Sequence, residues 1–182
     1  METIQPKLSG LKPENFQKVL KGKEINLYTL VNADGNEVSI TNYGGAIVAI
    51  MVPDKEGNIA NVIQGHDNID DVINSPEPYL STLIGRFGNR ICKGKFQLNG
   101  KEYQLAINNG PNALHGGPTG LHAQVWDAYQ EGEQTLTLDI KLPYGHEGFS
   151  GEVKISVEFT WTDDNELVIE YLATTNKKTI IN

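Results

Sequence analysis

The chain has 182 residues, which suits a single domain that buries about 70% of the surface exposed by its unfolded chain. Its 15 Lys and Arg residues and 23 Asp and Glu residues give a net charge of -8, and the basic residues are scattered, so we expect no nucleic-acid partner. One cysteine, Cys92, excludes an internal disulfide framework, and no apolar run has the length of a signal peptide or a membrane span. We therefore expect a cytoplasmic protein that does not contact a membrane.

The N-terminal segment, residues 1–26, is predicted to precede a single β-domain. Within it, KPENFQKVL predicts a short helix with Pro13 near its first turn. Farther along, Asp34-Gly35 and Glu56-Gly57 are predicted corners between strands, and HDNIDDVIN predicts another short helix. Neither helix is long enough to carry a core, so we assign residues 27–182 to the β-domain.

Alternation of apolar and polar residues predicts antiparallel strands along most of the chain. In TLTLDIKL and EVKISVEFTW every second residue is apolar, the pattern of a strand with one buried face. In KFQLNGKEYQL, Asn99-Gly100 separates two alternating arms, and this dipeptide favours a tight hairpin because both central residues adopt positive φ. The fold class is therefore all-β, a sandwich or barrel-like stack of sheets with long loops.

The last residues, NELVIEYLATTNKKTIIN, predict a strand, a polar turn and then the start of another strand at Thr179–Ile181. Chains more often close with a polar, frayed tail, so we expect that the sequence is interrupted while a strand is in progress. A short C-terminal edge strand is the alternative.

Two segments carry the candidate site residues. In IGRFGNRICKGKF, Arg86 and Arg90 lie four apart with Gly88 between them, so an unbulged strand would place all three on one face. Such a pair either makes cross-strand salt bridges or lines a polar ligand pocket, because unpaired guanidinium groups are costly on a dry face. In PNALHGGPTG, His115 precedes two glycines on a loop, either as a polar surface group or as a ligand-binding residue.

Other chemistries have weaker support in the sequence. The four histidines lack the spacing of a metal site, and no GxSxG nucleophile motif is present, so we expect neither a metal nor a serine triad. Sugar sites combine an aromatic platform with Arg, Asn and His donors, and core packing is the alternative for each aromatic residue, above all for Trp126 and Trp161. The aromatic residues near these segments are Tyr103, Trp126, Tyr129, Tyr144 and Phe149.

The segment IGRFGNRICKGKFQLNGKEYQLAINNGPNALHGG resembles aldose 1-epimerases, the galactose mutarotase family, through their pattern GRxxNRIxxGxFxLxGxxYxLxxNxxxxxLHGG. Downstream, YGHEGFSGEVKISVEFTWTDDNELVIEYLATTNKKTIIN is similar to the family's EGFPG loop and its YxLTDDNxLxIxYxATTDKxTxxN pattern. The opening strands fit as well, so the resemblance extends from Leu27 to the last residue and covers the N-terminal portion of the family's domain.

This resemblance implies a β-supersandwich that binds a hexose such as galactose or glucose in an open cleft and interconverts its α and β anomers. In the family the Asn-Arg of GRxxNR and the His of LHGG line the sugar site, which implies Asn89, Arg90 and His115 here, with His115 facing a sugar hydroxyl or the ring oxygen. Gly116 and Gly117 would let the loop backbone approach the ligand. Mutarotation requires one acid and one base, so no metal or nucleotide cofactor is implied.

The resemblance also implies that the fold is incomplete in this chain. The family's second histidine, its general acid, lies in a TNHxYFNL motif that would follow Asn182, and its glutamate base lies farther on. We therefore expect little or no mutarotase activity from this chain alone and, because sheet edges would be uncovered, self-association. Further acids and bases that occupy no matching motif position are His122, His146, Glu147, Asp163 and Asp164, of which the last two predict a hairpin turn.

Two alternative functions remain open from the sequence. A non-catalytic carbohydrate-binding β-sandwich would need neither acid nor base, and a gene that continues into an NH motif and a distal acidic residue would contradict it. The related hexose-phosphate mutarotases would need more cationic groups around the phosphate, which the net charge of -8 disfavours.

Overall fold

The computed structural model describes residues 4–182, and its architecture is a set of antiparallel sheets joined by turns. In chain order the strands are β1 (Lys18–Leu20), β2 (Lys23–Ile25), β3 (Leu27–Val31), β4 (Glu37–Thr41), β5 (Ala46–Pro53), β6 (Ile59–Asn61), β7 (Arg90–Ile91), β8 (Lys95–Leu98), β9 (Lys101–Gln104), β10 (Ala113–Leu114), β11 (Asp127–Glu131), β12 (Thr135–Leu142), β13 (Val153–Trp161) and β14 (Leu167–Thr175). Between them lie α1 (Ile69–Ile73) and single 3-10 turns at Pro13–Phe16, Cys92–Gly94, Leu121–Ala123 and His146–Gly148.

Two four-stranded antiparallel sheets form the body of the molecule. The first has the order β3-β4-β5-β6 and the second has the order β11-β12-β13-β14. Two-stranded ribbons pair β1 with β2, β7 with β10 and β8 with β9. The apolar faces of the two larger sheets share one buried cluster, so the predicted all-β sandwich is confirmed.

The core follows directly from the alternation of residues along β12 and β13. Their inward side chains pack against Leu30, Val38 and Ile40 of the first sheet. These inward residues are Leu136, Leu138, Ile140, Leu142, Val153, Ile155, Val157, Phe159 and Trp161. Trp126 joins the same cluster, and it and Trp161 are each 1% exposed, which confirms that both tryptophans are core residues.

The predicted turns connect neighbouring strands as their residue types require. Asn99 and Gly100 have φ of 53° and 75° and join β8 to β9, as the Asn-Gly dipeptide predicts. Asp163 and Asp164 lie in the turn between β13 and β14. These connections are local, so sequence-level turn chemistry determined them.

The N-terminal segment differs from the predicted helix. Pro13–Phe16 forms one 3-10 turn with the proline at its start, but β1 begins at Lys18 and pairs with β2. The reason is tertiary: Leu20 and Ile25 of this ribbon pack into the cluster that buries Phe16, and such packing overrides a weak helical preference.

The helix predicted in HDNIDDVIN is present as α1. The side chain of Asn68 caps it by accepting a hydrogen bond from the N–H of Asp71 at 2.9 Å. Ile69 and Val72 are its buried residues. Over residues 4–182, no helix combines the length and the apolar character that crossing a membrane would require.

The predicted strand at Thr179–Ile181 is absent from the structure, where residues 178–182 have no assigned secondary structure. Asn182 nevertheless receives a hydrogen bond from the N–H of Gly88 and donates one to the carbonyl of Arg86. Ile180 of this segment packs against the small cluster around Phe149. The pattern of apolar residues alone did not distinguish a regular strand from an irregular segment that packs against this cluster.

Candidate functional site

Two loops meet through the short ribbon of β7 and β10 and bring the predicted site residues together. Arg90 pairs with Leu114 in this ribbon, which places Asn89 beside His115. A backbone hydrogen bond joins the two loops: the N–H of His115 donates to the carbonyl of Asn89 at 3.1 Å. Asn89 and His115 have φ of 66° and 52°, so both loops turn sharply at the point where they meet.

The imidazole of His115 is held in a defined protonation state. The backbone N–H of Asn89 donates to Nδ1 of His115 at 3.0 Å, so Nδ1 is the unprotonated nitrogen and the ring proton lies on Nε2. Burial and then the positive charge of Arg90 lower the pKa of His115 below its ordinary value. At neutral pH the ring is therefore neutral, and Nε2–H is its hydrogen-bond donor.

Arg90 is oriented by neighbouring amides. Its Nε donates to Oδ1 of Asn109 at 2.9 Å, and its Nη1 lies 3.4 Å from Oδ1 of Asn89. The side chain is exposed, so the rest of the guanidinium fork can reach hydroxyl or carboxylate oxygens of a ligand. Together with Nε2–H of His115, it forms a set of donors suited to a polyhydroxylated molecule.

The two glycines after His115 permit close packing of this loop. At Gly116, φ is 84° and an added Cβ would lie 1.8 Å from the carbonyl oxygen of Gly85. At Gly117, an added Cβ would lie 2.4 Å from the carboxylate of Glu147. The contacts that demand glycine here are thus with other parts of the protein, and approach to a ligand stays a prediction.

The prediction that Arg86 and Arg90 share one face of a strand is wrong. Residues 84–89 form a loop, and Asn89, between the two arginines, has a φ of 66°, which a regular strand does not contain. Arg86 is 1% exposed whereas Arg90 is exposed. In the part of the chain that the structure describes, neither arginine has a salt-bridge partner.

Arg86 instead ties three segments of the fold together. Its guanidinium donates to the carbonyls of Ser150 and Gly151 and to the hydroxyl of Thr179, and it lies over the ring of Phe149. Burial lowers the pKa of Arg86 to about 10, so the group stays charged at neutral pH. Its role in the structure is internal hydrogen bonding.

The other titratable groups considered from the sequence lie in different surroundings. His122 is 5% exposed and burial lowers its pKa to about 4, so it is neutral under ordinary conditions. Glu147 accepts hydrogen bonds from the N–H and the hydroxyl of Thr119, which engages its carboxylate in holding the loop after His115. Burial also lowers the pKa of His146. Asp163 accepts from the N–H of Ala33 and from Gln134, within the β13–β14 turn region.

The aromatic ring beside His115 is Tyr79, which the sequence reasoning missed. Its centroid lies 4.6 Å from that of His115 and 4.7 Å from that of His122. No local signal in SPEPYL marks this tyrosine, because 35 residues separate it from His115 in the chain. The aromatic residues expected near a ligand lie elsewhere: Tyr103 stacks on Phe96, Trp126 and Phe149 are buried, and Tyr129 and Tyr144 are exposed.

Comparison with known proteins identifies relatives of this chain. The family model described as aldose 1-epimerase matches residues 26–182. The chain is 38% identical over 156 residues to the galactose mutarotase of Bos taurus, covering 84% of this chain and 44% of the relative. It is 27% identical over 161 residues to the aldose 1-epimerase of Escherichia coli (strain K12), covering 88% and 46%.

Two solved structures agree with the sequence comparison. A GalM/aldose epimerase homologue from C. elegans superimposes with a TM-score of 0.82 at 28% identity, covering 86% of this chain and 48% of that one. A galactose 1-epimerase from Lactobacillus acidophilus NCFM gives a TM-score of 0.78 at 25% identity, covering 90% and 48%. The chain spans about half the length of these proteins.

Proposed function

Because the chain belongs to the aldose 1-epimerase family, we propose that Asn89, Arg90 and His115 bind a hexopyranose such as galactose or glucose. The observation that carries this proposal is the hydrogen bond from the N–H of Asn89 to Nδ1 of His115, which leaves Nε2–H free to donate beside the guanidinium of Arg90. Neutral and cationic donors on converging loops are the groups that sugar hydroxyls and a ring oxygen require.

The proposed chemistry is interconversion of the α and β anomers. A base removes the proton of the O1 hydroxyl, an acid supplies a proton to the ring oxygen as the C1–O5 bond breaks, and rotation about C1–C2 before ring closure yields the other anomer. His115 is the catalytic residue proposed within this chain: its Nε2–H donates to the ring oxygen or a neighbouring hydroxyl, where the bond strengthens as negative charge develops. Neither a metal nor a nucleotide cofactor has a step in this reaction.

We expect sugar binding without efficient turnover when the 182-residue polypeptide is assayed by itself. The carboxylate of Glu147, which lies beside Gly117, is engaged by Thr119, and its expected role is to hold the loop rather than to act as the base. Loss of an acid or a base removes roughly 10²–10⁴-fold in rate for each group. Polarimetry with freshly dissolved α-galactose should therefore give the spontaneous rate, while NMR titration with galactose should show shifts at His115.

Variants of Arg90 and His115 test whether these two side chains bind the sugar, and a variant of another exposed cation tests for nonspecific effects of losing a surface charge. Arg90→Met and His115→Phe should each weaken galactose binding roughly tenfold or more, because each removes a directed hydrogen-bond donor. Lys95→Met is the matched control, since Lys95 is an exposed cation on β8 that pairs with Glu102. Catalysis clearly above the spontaneous rate would contradict the inactivity proposal, and unchanged binding in both site variants would contradict the site.

We further propose that the chain self-associates through β14. The strand pairs with β13 along one edge, and within residues 4–182 no strand pairs with its other edge. Apolar side chains are exposed on both of its faces, with Tyr171 at 58% and Leu172 at 67%. An unpaired apolar edge of this kind favours antiparallel pairing with a second copy.

Light scattering over a concentration series should accordingly detect a dimer or larger assembly. Leu172→Lys should shift the population towards monomer, because a lysine on an edge strand disfavours pairing. Val62→Lys is the control, since Val62 is exposed but lies outside β14. A monomer at every concentration would overturn this proposal.

The cytoplasmic location and the boundary between residues 1–26 and 27–182 stay predictions.

A further inference from the structure

Asn108 connects the backbone next to His115 with a distant tyrosine. Its Oδ1 accepts from the N–H of Leu114 at 2.7 Å, and its Nδ2 donates to the carbonyl of Leu114 at 2.9 Å. The same Nδ2 lies 3.2 Å from the hydroxyl oxygen of Tyr79. One amide therefore restrains both peptide groups of the residue before His115 and the tip of the Tyr79 ring.

The ring of Tyr79 packs against two imidazoles. It is tilted by 57° against His115 and by 64° against His122, at centroid distances of 4.6 and 4.7 Å. Nδ1 of His122 is buried and has no hydrogen-bond partner among the described residues, so this side chain is present as a packed neutral ring. His122 thus packs against Tyr79 as a second neighbour of that ring, besides His115.

These contacts restrain the imidazole of His115 in two directions. The N–H of Asn89 approaches the ring edge at Nδ1, and Tyr79 packs against the ring itself. The Cβ–Cγ torsion of a histidine is broad, so neighbours of this kind determine the orientation of the ring. Without the tyrosine, rotation about the Cβ–Cγ bond could put Cδ2 in the place of Nδ1, and the N–H of Asn89 would then no longer fix which nitrogen carries the proton.

We propose that Tyr79 and Asn108 are positioning residues that hold His115 with Nδ1 on the N–H of Asn89 and with Nε2–H directed to the ligand. The direction of Nε2–H towards a ligand rests on the proposed hexose site. The orientation and the tautomer of the ring do not depend on it, because they are properties of the protein without a ligand. A donor displaced by a fraction of an ångström loses much of its effect, so supporting residues of this kind determine how well a site functions.

The test is histidine-selective NMR of the free protein, in which the ¹⁵N shifts of both ring nitrogens report the tautomer. In the wild type, His115 should show protonated Nε2 and unprotonated Nδ1. Tyr79→Leu should give a mixture of tautomers, and the pKa of His115 should rise towards its ordinary value because burial, the larger cause of its depression, is reduced. Tyr79→Phe keeps the ring packing and should retain the wild-type tautomer.

Additional variants distinguish positioning from general damage. Asn108→Asp keeps the acceptor for the N–H of Leu114, loses the bond donated to the carbonyl of Leu114 and reverses the contact with Tyr79, whose hydroxyl would donate to the carboxylate. It should produce a smaller loss of the single tautomer than Tyr79→Leu. Tyr103→Leu removes a tyrosine that stacks on Phe96 and should leave the His115 spectrum unchanged. A wild-type tautomer and pKa in Tyr79→Leu would overturn the proposal.

Galactose titration of the same samples separates this inference from the proposed function. Tyr79→Leu should weaken binding roughly tenfold, the cost of misdirecting one hydrogen bond, and Tyr79→Phe should largely restore it. If the wild type binds no sugar but Tyr79→Leu still changes the tautomer, the hexose site fails while the positioning of His115 stands. If the wild type binds sugar but Tyr79→Leu leaves the tautomer unchanged, the hexose site stands and the positioning of His115 by Tyr79 fails.

Discussion

Replacing Arg86 with methionine should lower the free energy of unfolding by about 3–5 kcal/mol, because several hydrogen bonds from a buried charged donor are lost together. The guanidinium is the donor for the carbonyls of Ser150 and Gly151 and for the hydroxyl of Thr179. Methionine fills much of the volume over Phe149 but donates nothing, so these acceptors remain unsatisfied in the interior.

The measurement is equilibrium unfolding in urea, with Arg90→Met as the matched control. Arg90 is exposed and bonds only to neighbouring amides, so its replacement should change stability by about 0.5 kcal/mol or less. The contrast between two arginines four positions apart tests the assignment directly. A loss below about 1 kcal/mol for Arg86→Met would show that its hydrogen bonds contribute no more than average ones.

Replacing Gly116 with alanine should both destabilise the fold and displace His115. The new Cβ would lie 1.8 Å from the carbonyl oxygen and 2.3 Å from the carbonyl carbon of Gly85, which are backbone atoms that cannot move independently. Steric overlap and the left-handed backbone at φ 84° together cost roughly 2–5 kcal/mol. Because His115 is the adjacent residue, galactose binding should fall below detection.

Gly110→Ala provides the comparison for this clash. Gly110 also has a positive φ, 54°, but an added Cβ there has no atom within 4 Å. Only backbone strain remains, which costs roughly 1–2 kcal/mol, and sugar binding should persist. Urea unfolding and NMR titration of both variants measure the two effects. Equal losses in the two variants would mean that the approach of Gly116 to Gly85 is unimportant.

Fold class was predictable because it depends on local patterns. Alternation along β12 and β13 places leucine, isoleucine and valine on one face of each strand, and that pattern alone demands a second apolar layer. The Asn99-Gly100 hairpin likewise follows from the backbone angles that these two residues tolerate. In the candidate site, Asn89, Arg90 and His115 were found through short motifs, and the structure brings them together.

The errors arose where distant contacts outweigh local preference. Arg86 has the same side-chain chemistry as Arg90, and four-residue spacing on a strand assigns them to one face, but the chain there is a loop. The helix expected after Pro13 is replaced by a ribbon, because Leu20 and Ile25 contribute to a cluster with residues far along the chain. Neither the loop at Arg86 nor the ribbon after Pro13 is indicated by the residue types within a few positions.

By itself, the sequence determined the long alternating strands, the tight turns, the acidic net charge and the motif residues of the candidate site, since each depends on residue type and short spacing. Only the tertiary structure decided that Arg86 is an internal hydrogen-bond donor and that Tyr79 lies against His115. The physical reason is that burial and contact between remote segments depend on how complete sheets and loops pack, and this information is not contained in any short stretch of the chain.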